Sequence, residues 1–334
     1  MQIAYAGSNI TGTAGVIAVD KVANKIRFLD PQTLAEISHF DAPEPCIHEL
    51  AITPDRKRAF APLYGSGIYG ANAKPNNKII EIDIPTRSLA GLMDLGELLA
   101  PHGMVTTSDD KLWVVCDIHS KLVRIDPDRR TIEATYDTPG KGPHILVMLP
   151  DESRLYVSSK EGDVGVFDRA ADRFVAQVSV RAPGAEQGNG TGSEAILPTR
   201  DGKRVFLLDN TRNNLRVIDV ATNAIGAPIP LASYPIPNMK RSFLSKLGFS
   251  LDERWLVATA YQTGLCWIID ARDLTQQAVV PIAKGPQGMA FPPHGKTVIV
   301  SSHDNGLLTE IDLETKQPLR AYPGGSGIEV LAFY

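Results

Sequence analysis

The chain has 334 residues, a formal net charge of −4 and 22% charged residues, close to the average for a soluble globular protein. No Lys/Arg run or basic stripe speaks for a nucleic-acid partner, and no apolar run approaches the ~18 residues that a membrane span needs. Three cysteines, Cys46, Cys116 and Cys266, are too few for a disulfide framework. The start Met1-Gln2-Ile3-Ala4-Tyr5 reads as a strand and not as a signal peptide. The expected compartment is the cytosol, with the periplasm or exterior open to a chain whose leader has been removed.

One phrase recurs along the chain, two or three apolar residues followed by Asp, ending at Asp30, Asp83, Asp126, Asp168, Asp219, Asp270 and Asp312. The gaps of 53, 43, 42, 51, 51 and 42 residues match a four-stranded propeller blade of ~40–50 residues. In chain order, Gln2–Gly7, Gly15–Asp30 and Leu34–Phe40 supply three strands with no inner strand before them. An inner strand then opens at a polar residue seven positions before each first turn: His48 before Asp55, His102 before Asp109, His144 before Asp151, Glu194 before Asp201 and Ser245 before Asp252. In the next unit His294 takes the turn position and Gln287 the opening. Strict apolar alternation around Pro-Asp or Asp-Gly turns makes each unit strand–turn–strand. The last inner strand, Glu329–Tyr334, lacks partners, and the N-terminal strands supply them. The expectation is an all-β, seven-bladed β-propeller over residues 1–334, with four antiparallel strands per blade. Its N- and C-terminal strands share one blade, which removes the open edge.

The phrases PDESRLYVSSKEGDVGVFD (Pro150–Asp168) and DGKRVFLLDNTRNNLRVID (Asp201–Asp219) resemble the YVTN β-propeller repeat. That family is similar in turn to the seven-bladed lactonase propellers, which include 6-phosphogluconolactonases. The resemblance spans essentially the whole chain. It implies the propeller fold, and by association a hydrolysis or isomerisation of a lactone or related acyl compound; fold alone does not assign function.

Strand direction places short polar turns on one face and the long connections Tyr64–Asn77, Arg181–Ser193 and Leu231–Phe243 on the other, the mouth. Five of the seven histidines, His48, His102, His119, His144 and His303, are expected at the mouth, and His294 on the opposite face. The inner-strand openings form a ring, His48, His102, His144, Glu194, Ser245, Gln287 and Glu329. Its three histidines and a glutamate in consecutive blades suit a divalent transition metal, Zn, Fe, Mn, Ni or Cu, held by His48, His102, His144 and Glu194. Glu194 or Glu329 is a candidate general base, and Tyr261 joins them as a catalytic candidate. Tyr64, Tyr69, His119, Arg212, Lys246, Gln287 and His303 are candidates to bind a small-molecule substrate, with Arg212 or Lys246 suited to a carboxylate or phosphate. For each charged residue taken singly, a solvated rim position is the plainer account. Metal-dependent elimination or oxidation on the same ring is the rival chemistry, and a non-catalytic binding propeller the rival class. Gly65-Ser66-Gly67-Ile68-Tyr69-Gly70 spells GxGxxG, but Pro75 and a strand follow it where a dinucleotide site needs a helix. No CxxCH, CxxC or HExxH occurs, and Cys116, closing an apolar run beside His119, reads as buried.

Overall fold

The computed structural model describes residues 14–181, 188, 192–193, 195–210, 213–235 and 243–334. Its strands form seven four-stranded antiparallel sheets. In chain order, blade two spans Ala51–Ile52 to Ser88–Asp94 and blade three Pro101–Thr106 to Thr131–Asp137. Blade four spans Pro143–Met148 to Arg173–Ser179, blade five Ile196–Pro198 to Ile229–Pro230, blade six Leu244–Phe249 to Gln277–Pro281 and blade seven Pro286–Ala290 to Pro318–Pro323. Blade one is composite: Ile328–Phe333 is its inner strand, followed outward by Val16–Asp20, Lys25–Leu29 and Glu36–Asp41. The seam is antiparallel, with Val16 opposite Phe333 and Val19 opposite Val330.

This closure is as the sequence implies, with one correction. Gly15–Asp30 is a hairpin and not a single strand: it turns at Lys21–Asn24, where the Asn24 amide donates to the Lys21 carbonyl at 3.2 Å and Asn24 adopts a φ of 54°. That hairpin and Glu36–Asp41 fill the three outer places of the blade. The expected strand Gln2–Gly7 lies outside the described residues.

The recurrent aspartates have a local cause. Each ends the third strand of its blade, or in blade one follows it directly, and accepts backbone N–H groups of the turn that follows, as Asp30 does from Thr33 at 2.7 Å, Asp126 from Arg129 at 2.9 Å and Asp312 from Thr315 at 2.7 Å. The side chain thereby closes the turn that leads to the outer strand. The first turns work alike: Asp55 and Asp201 each accept from the amide two residues on, Lys57 and Lys203, at 3.0 Å. In blade seven His294 Nδ1 accepts from the Lys296 amide at 3.1 Å, so an imidazole replaces the carboxylate.

Alternating apolar residues bury both faces of each sheet. Seven apolar clusters result, and each straddles one blade-to-blade junction. Ile17, Val19, Ile26 and Phe28 of blade one pack with Ala61, Leu63, Ile80 and Ile82 of blade two, while Val16, Ala18 and Leu331 pack with Ala290, Ile299 and Leu308 of blade seven. The ring is closed by the same packing that joins every other pair of blades.

Candidate functional site

Four of the inner strands begin with a β-bulge at the mouth. Register slips occur between Pro101 and Met104, Pro143 and Leu146, Leu244 and Lys246, and Pro286 and Met289. In blade two Ile47 bridges Leu63 while Ala51 pairs Phe60, so an extra residue is again accommodated on the inner strand. A bulge breaks strict alternation and re-aims side chains. It lets two consecutive residues, His48 and Glu49 in blade two and Ser245 and Lys246 in blade six, line the same cavity. Gly103 completes the arrangement. A Cβ there would sit 2.6 Å from the His144 carbonyl oxygen, so only glycine lets the inner strands of blades three and four approach this closely.

The result is a cavity of about 870 Å³ at the mouth, floored by His48, Glu49, His102 and His144. The ring centroids of His48 and His102 are 4.3 Å apart and those of His102 and His144 4.2 Å. Tyr64 wedges against His48 and His102 at 5.4 and 5.2 Å. His102 Nδ1 lies 3.0 Å from the His144 carbonyl oxygen. A carbonyl only accepts, so Nδ1 carries the proton and Nε2 presents a lone pair. His48 Nδ1 makes its shorter contact with the Glu329 carboxylate and a longer one, 3.4 Å, with Lys21 Nζ. The same tautomer follows. Ligand atoms of His48, Glu49 and His102 lie within 4.8 Å of one another.

The electrostatics favour neutral imidazoles beside ionised carboxylates. Burial, reinforced by neighbouring positive groups, holds His102 and His144 well below the ordinary histidine range, and His48 below it. Burial opposes ionisation of Glu49, but Lys246, whose Nζ is 3.1 Å away, together with His48 and His102 more than offsets it and keeps the carboxyl well below its usual range. Glu329 is likewise held low, burial being offset by His48 and by Lys21, which lies 3.2 Å from it.

His48, His102 and His144 therefore come together from blades two, three and four as the sequence suggests. Lys246, Gln287, Tyr261, His303 and Glu329 also line the cavity. Tyr64 donates to buried Asp117 at 2.6 Å, Tyr69 to Glu161 at 3.0 Å and Tyr261 to Asp304 at 2.7 Å. Glu194 and Arg212 lie outside the described residues. His119 is not brought in: it sits exposed on the turn after Leu112–Cys116, away from the lining. His294 is on the opposite face, in the turn after Pro286–Ala290.

Sequence reasoning missed Glu49, Lys21 and Lys160. Ideal alternation turns Glu49 away from the channel, and only the bulge brings it in. Lys21 and Lys160 follow the second strands of blades one and four, the position that supplies His303 in blade seven and Tyr261 in blade six. Reading that position in every blade would have found them.

No family model matches the chain, and no curated protein matches it in sequence. Among solved structures, hydrazine synthase of Kuenenia stuttgartiensis is similar, with a TM-score of 0.68, 15% identity, and 88% of this chain aligned to 91% of that one. At that identity the likeness speaks for the seven-bladed fold alone.

Proposed function

We propose that the mouth cavity is the active site of a metal-assisted enzyme acting on a lactone or related acyl compound. One observation carries the metal: two imidazoles with Nδ1 tied and Nε2 presented, grouped with a buried carboxylate. A ligating histidine commonly donates its other ring N–H to a carboxylate or carbonyl; here Glu329 and the His144 carbonyl play those parts. His48, Glu49 and His102 would hold the ion, with His144 beside them; Glu194, the further ligand the ring suggested, lies outside the described residues. The donor set suits a borderline divalent metal and leaves positions open. When bound, such an ion supplies a Lewis acid for a carbonyl oxygen.

The chain's own residues prepare the site. Glu329 fixes the His48 tautomer, a positioning role in place of the general base first considered, since its carboxylate is engaged by His48 and Lys21. Lys246 neutralises Glu49. Tyr64, tethered by Asp117, stops the two imidazoles from turning. The acyl substrate class rests on the resemblance of the blade repeat to the lactonase propellers. The two-histidine, one-carboxylate donor set is also that of non-haem iron oxygenases, which makes metal-dependent oxidation the second reading.

Elemental analysis of protein purified without added metal tests the site. About one transition metal per chain is expected, removed by chelation and absent from the His48→Ala/His102→Ala variant. Iron would favour the oxidative reading, and zinc the hydrolytic one. Stoichiometric metal retained by the double variant would refute the ligand assignment, and a chelated protein that still turns over a panel of lactones at full rate would refute metal assistance.

A further inference from the structure

The cavity is polar at its floor and apolar at its rim. Val22 and Ile68 both line it, and at 59% and 65% they are the most exposed large apolar side chains among the described residues. Single exposed apolar residues need no explanation. The two most exposed ones converging on one cavity do, because an apolar surface at a pocket is normally covered by what binds there.

Both side chains are held in place by built features. Ile68 sits at the tip of the hairpin formed by Arg58–Ser66 and Lys74–Asp83. The Ala71 amide donates to the Ile68 carbonyl at 2.9 Å. Gly67, at a φ of 146°, allows the chain to close against Ala71 and Asn72, where a Cβ would meet backbone at 2.4 Å. Beyond the tip, Tyr69 reaches past blade three to blade four. Its ring covers Gly142, where a Cβ would lie 2.4 Å from the ring carbon that bears the hydroxyl, and its hydroxyl donates to Glu161 at 3.0 Å. The hairpin is thus braced across the mouth with Ile68 over the opening. Val22 lies on the turn of blade one and rests on Gly327, where a Cβ would meet its methyl at 2.4 Å. Phe243, at the entry to blade six, adds a third apolar group to the rim.

The floor has the opposite character. Among the described lining residues, three lysines, Lys21, Lys160 and Lys246, face two carboxylates, Glu49 and Glu329. The lysines outnumber the carboxylates by one before any cation is counted, which favours an anionic or strongly polarised head.

Building on the active-site reading above, we infer that the ligand is amphipathic: an aliphatic acyl compound whose carboxyl-type head reaches the floor of His48, Glu49, His102 and Lys246 while its hydrocarbon body lies under Ile68 and against Val22 and Phe243. The rim then selects for chain length and the floor for the head group.

Straight-chain alkanoates from acetate to decanoate, titrated calorimetrically into the purified full-length protein, test this. Affinity should rise with each methylene by up to about fourfold, the value for full burial of a CH₂ group, and level off once the chain outruns the rim. In the Val22→Ser/Ile68→Ser variant the gain with length should fall at least tenfold between acetate and octanoate, with metal content unchanged. Affinity independent of chain length in the parent, an unaltered slope in the variant, or equal binding of the matching primary alcohols would each overturn the inference. Binding of no alkanoate at all would overturn it too. None of these outcomes touches the metal content on which the active-site reading stands, and loss of metal in the His48→Ala/His102→Ala variant leaves the chain-length series to be decided by its own result.

Discussion

Asp20 fastens the seam of the ring, and its removal should weaken the whole protein. The side chain is fully buried, and its carboxylate accepts four N–H groups. Ala23 and Gly327 reach Oδ1, each at 3.0 Å, while Arg27 Nε and Ser326 reach Oδ2 at 2.8 and 2.9 Å. Two of these donors precede the C-terminal strand, so one carboxylate ties it to the N-terminal hairpin. Burial would raise the Asp20 pKa, but the Ser326 and Ala23 amides and Arg27 more than offset it and hold the carboxyl below its ordinary value. Asp20→Ala strands buried amides and removes one partner of Arg27, which keeps Glu36. Losing one member of a buried pair costs about 3–5 kcal/mol. An unfolding entropy of about 2.1 cal/mol/K per residue over 334 residues makes that a fall in Tm of roughly 4–7 °C. Because the folded pKa is depressed, the contribution is present above the unfolded value near ~4 and lost as pH falls through the folded value. Calorimetric scans should therefore show a gap between parent and variant at pH 7 that narrows in stronger acid. A variant melting within about 1 °C of the parent at pH 7 would refute the argument, since even the low end of the expected cost exceeds that shift.

Deleting Glu329–Tyr334 should abolish cooperative melting of the whole ring, and an unchanged calorimetric transition would contradict the shared blade. Asp117 behaves opposite to Asp20: burial pushes its carboxyl up to about 6, so stability falls as pH rises from the unfolded value through 6. Asp117→Asn should accordingly stabilise by about 1–3 kcal/mol at pH 7 and by little at pH 4, as denaturant titrations at the two pH values would show. Glu329→Gln should weaken metal binding by about 10–100-fold in competition with a chromogenic chelator; unchanged affinity would deny that Glu329 positions His48. Gly103→Ala forces blades three and four apart at the His144 carbonyl, at a cost of about 1–3 kcal/mol, and should lower metal affinity as well as Tm.

The fold was largely legible because one residue type does one local task seven times. An aspartate that accepts turn amides recurs at blade spacing, and a second one does so in the first turn, where even the irregular blade was readable: His294 takes that place in blade seven and its Nδ1 accepts the Lys296 amide. The hairpin within Gly15–Asp30 was not, because Lys21-Val22-Ala23-Asn24 holds neither Gly nor Pro and turns through a left-handed Asn24. At the site, residues that obey the repeat, His48, His102 and His144, were found. Glu49 was not, because its placement depends on a bulge, which breaks the alternation without a residue signature of its own, and because its partner Lys246 comes from blade six. His119 misled because mouth-side position says which face a residue occupies and not whether it points inward.

The seam between Val16–Asp20 and Ile328–Phe333 also sets the order in which the chain can assemble. The other six sheets form from consecutive segments, whereas the pairing of Val16 with Phe333 joins residues at opposite extremes of the described chain. Closing a loop of that length costs on the order of 5 kcal/mol in chain entropy, repaid only when Asp20 and the last apolar clusters engage together. Blade one is therefore expected to be the last sheet completed, when Ile328–Phe333 joins the three strands already formed from Val16–Asp20, Lys25–Leu29 and Glu36–Asp41.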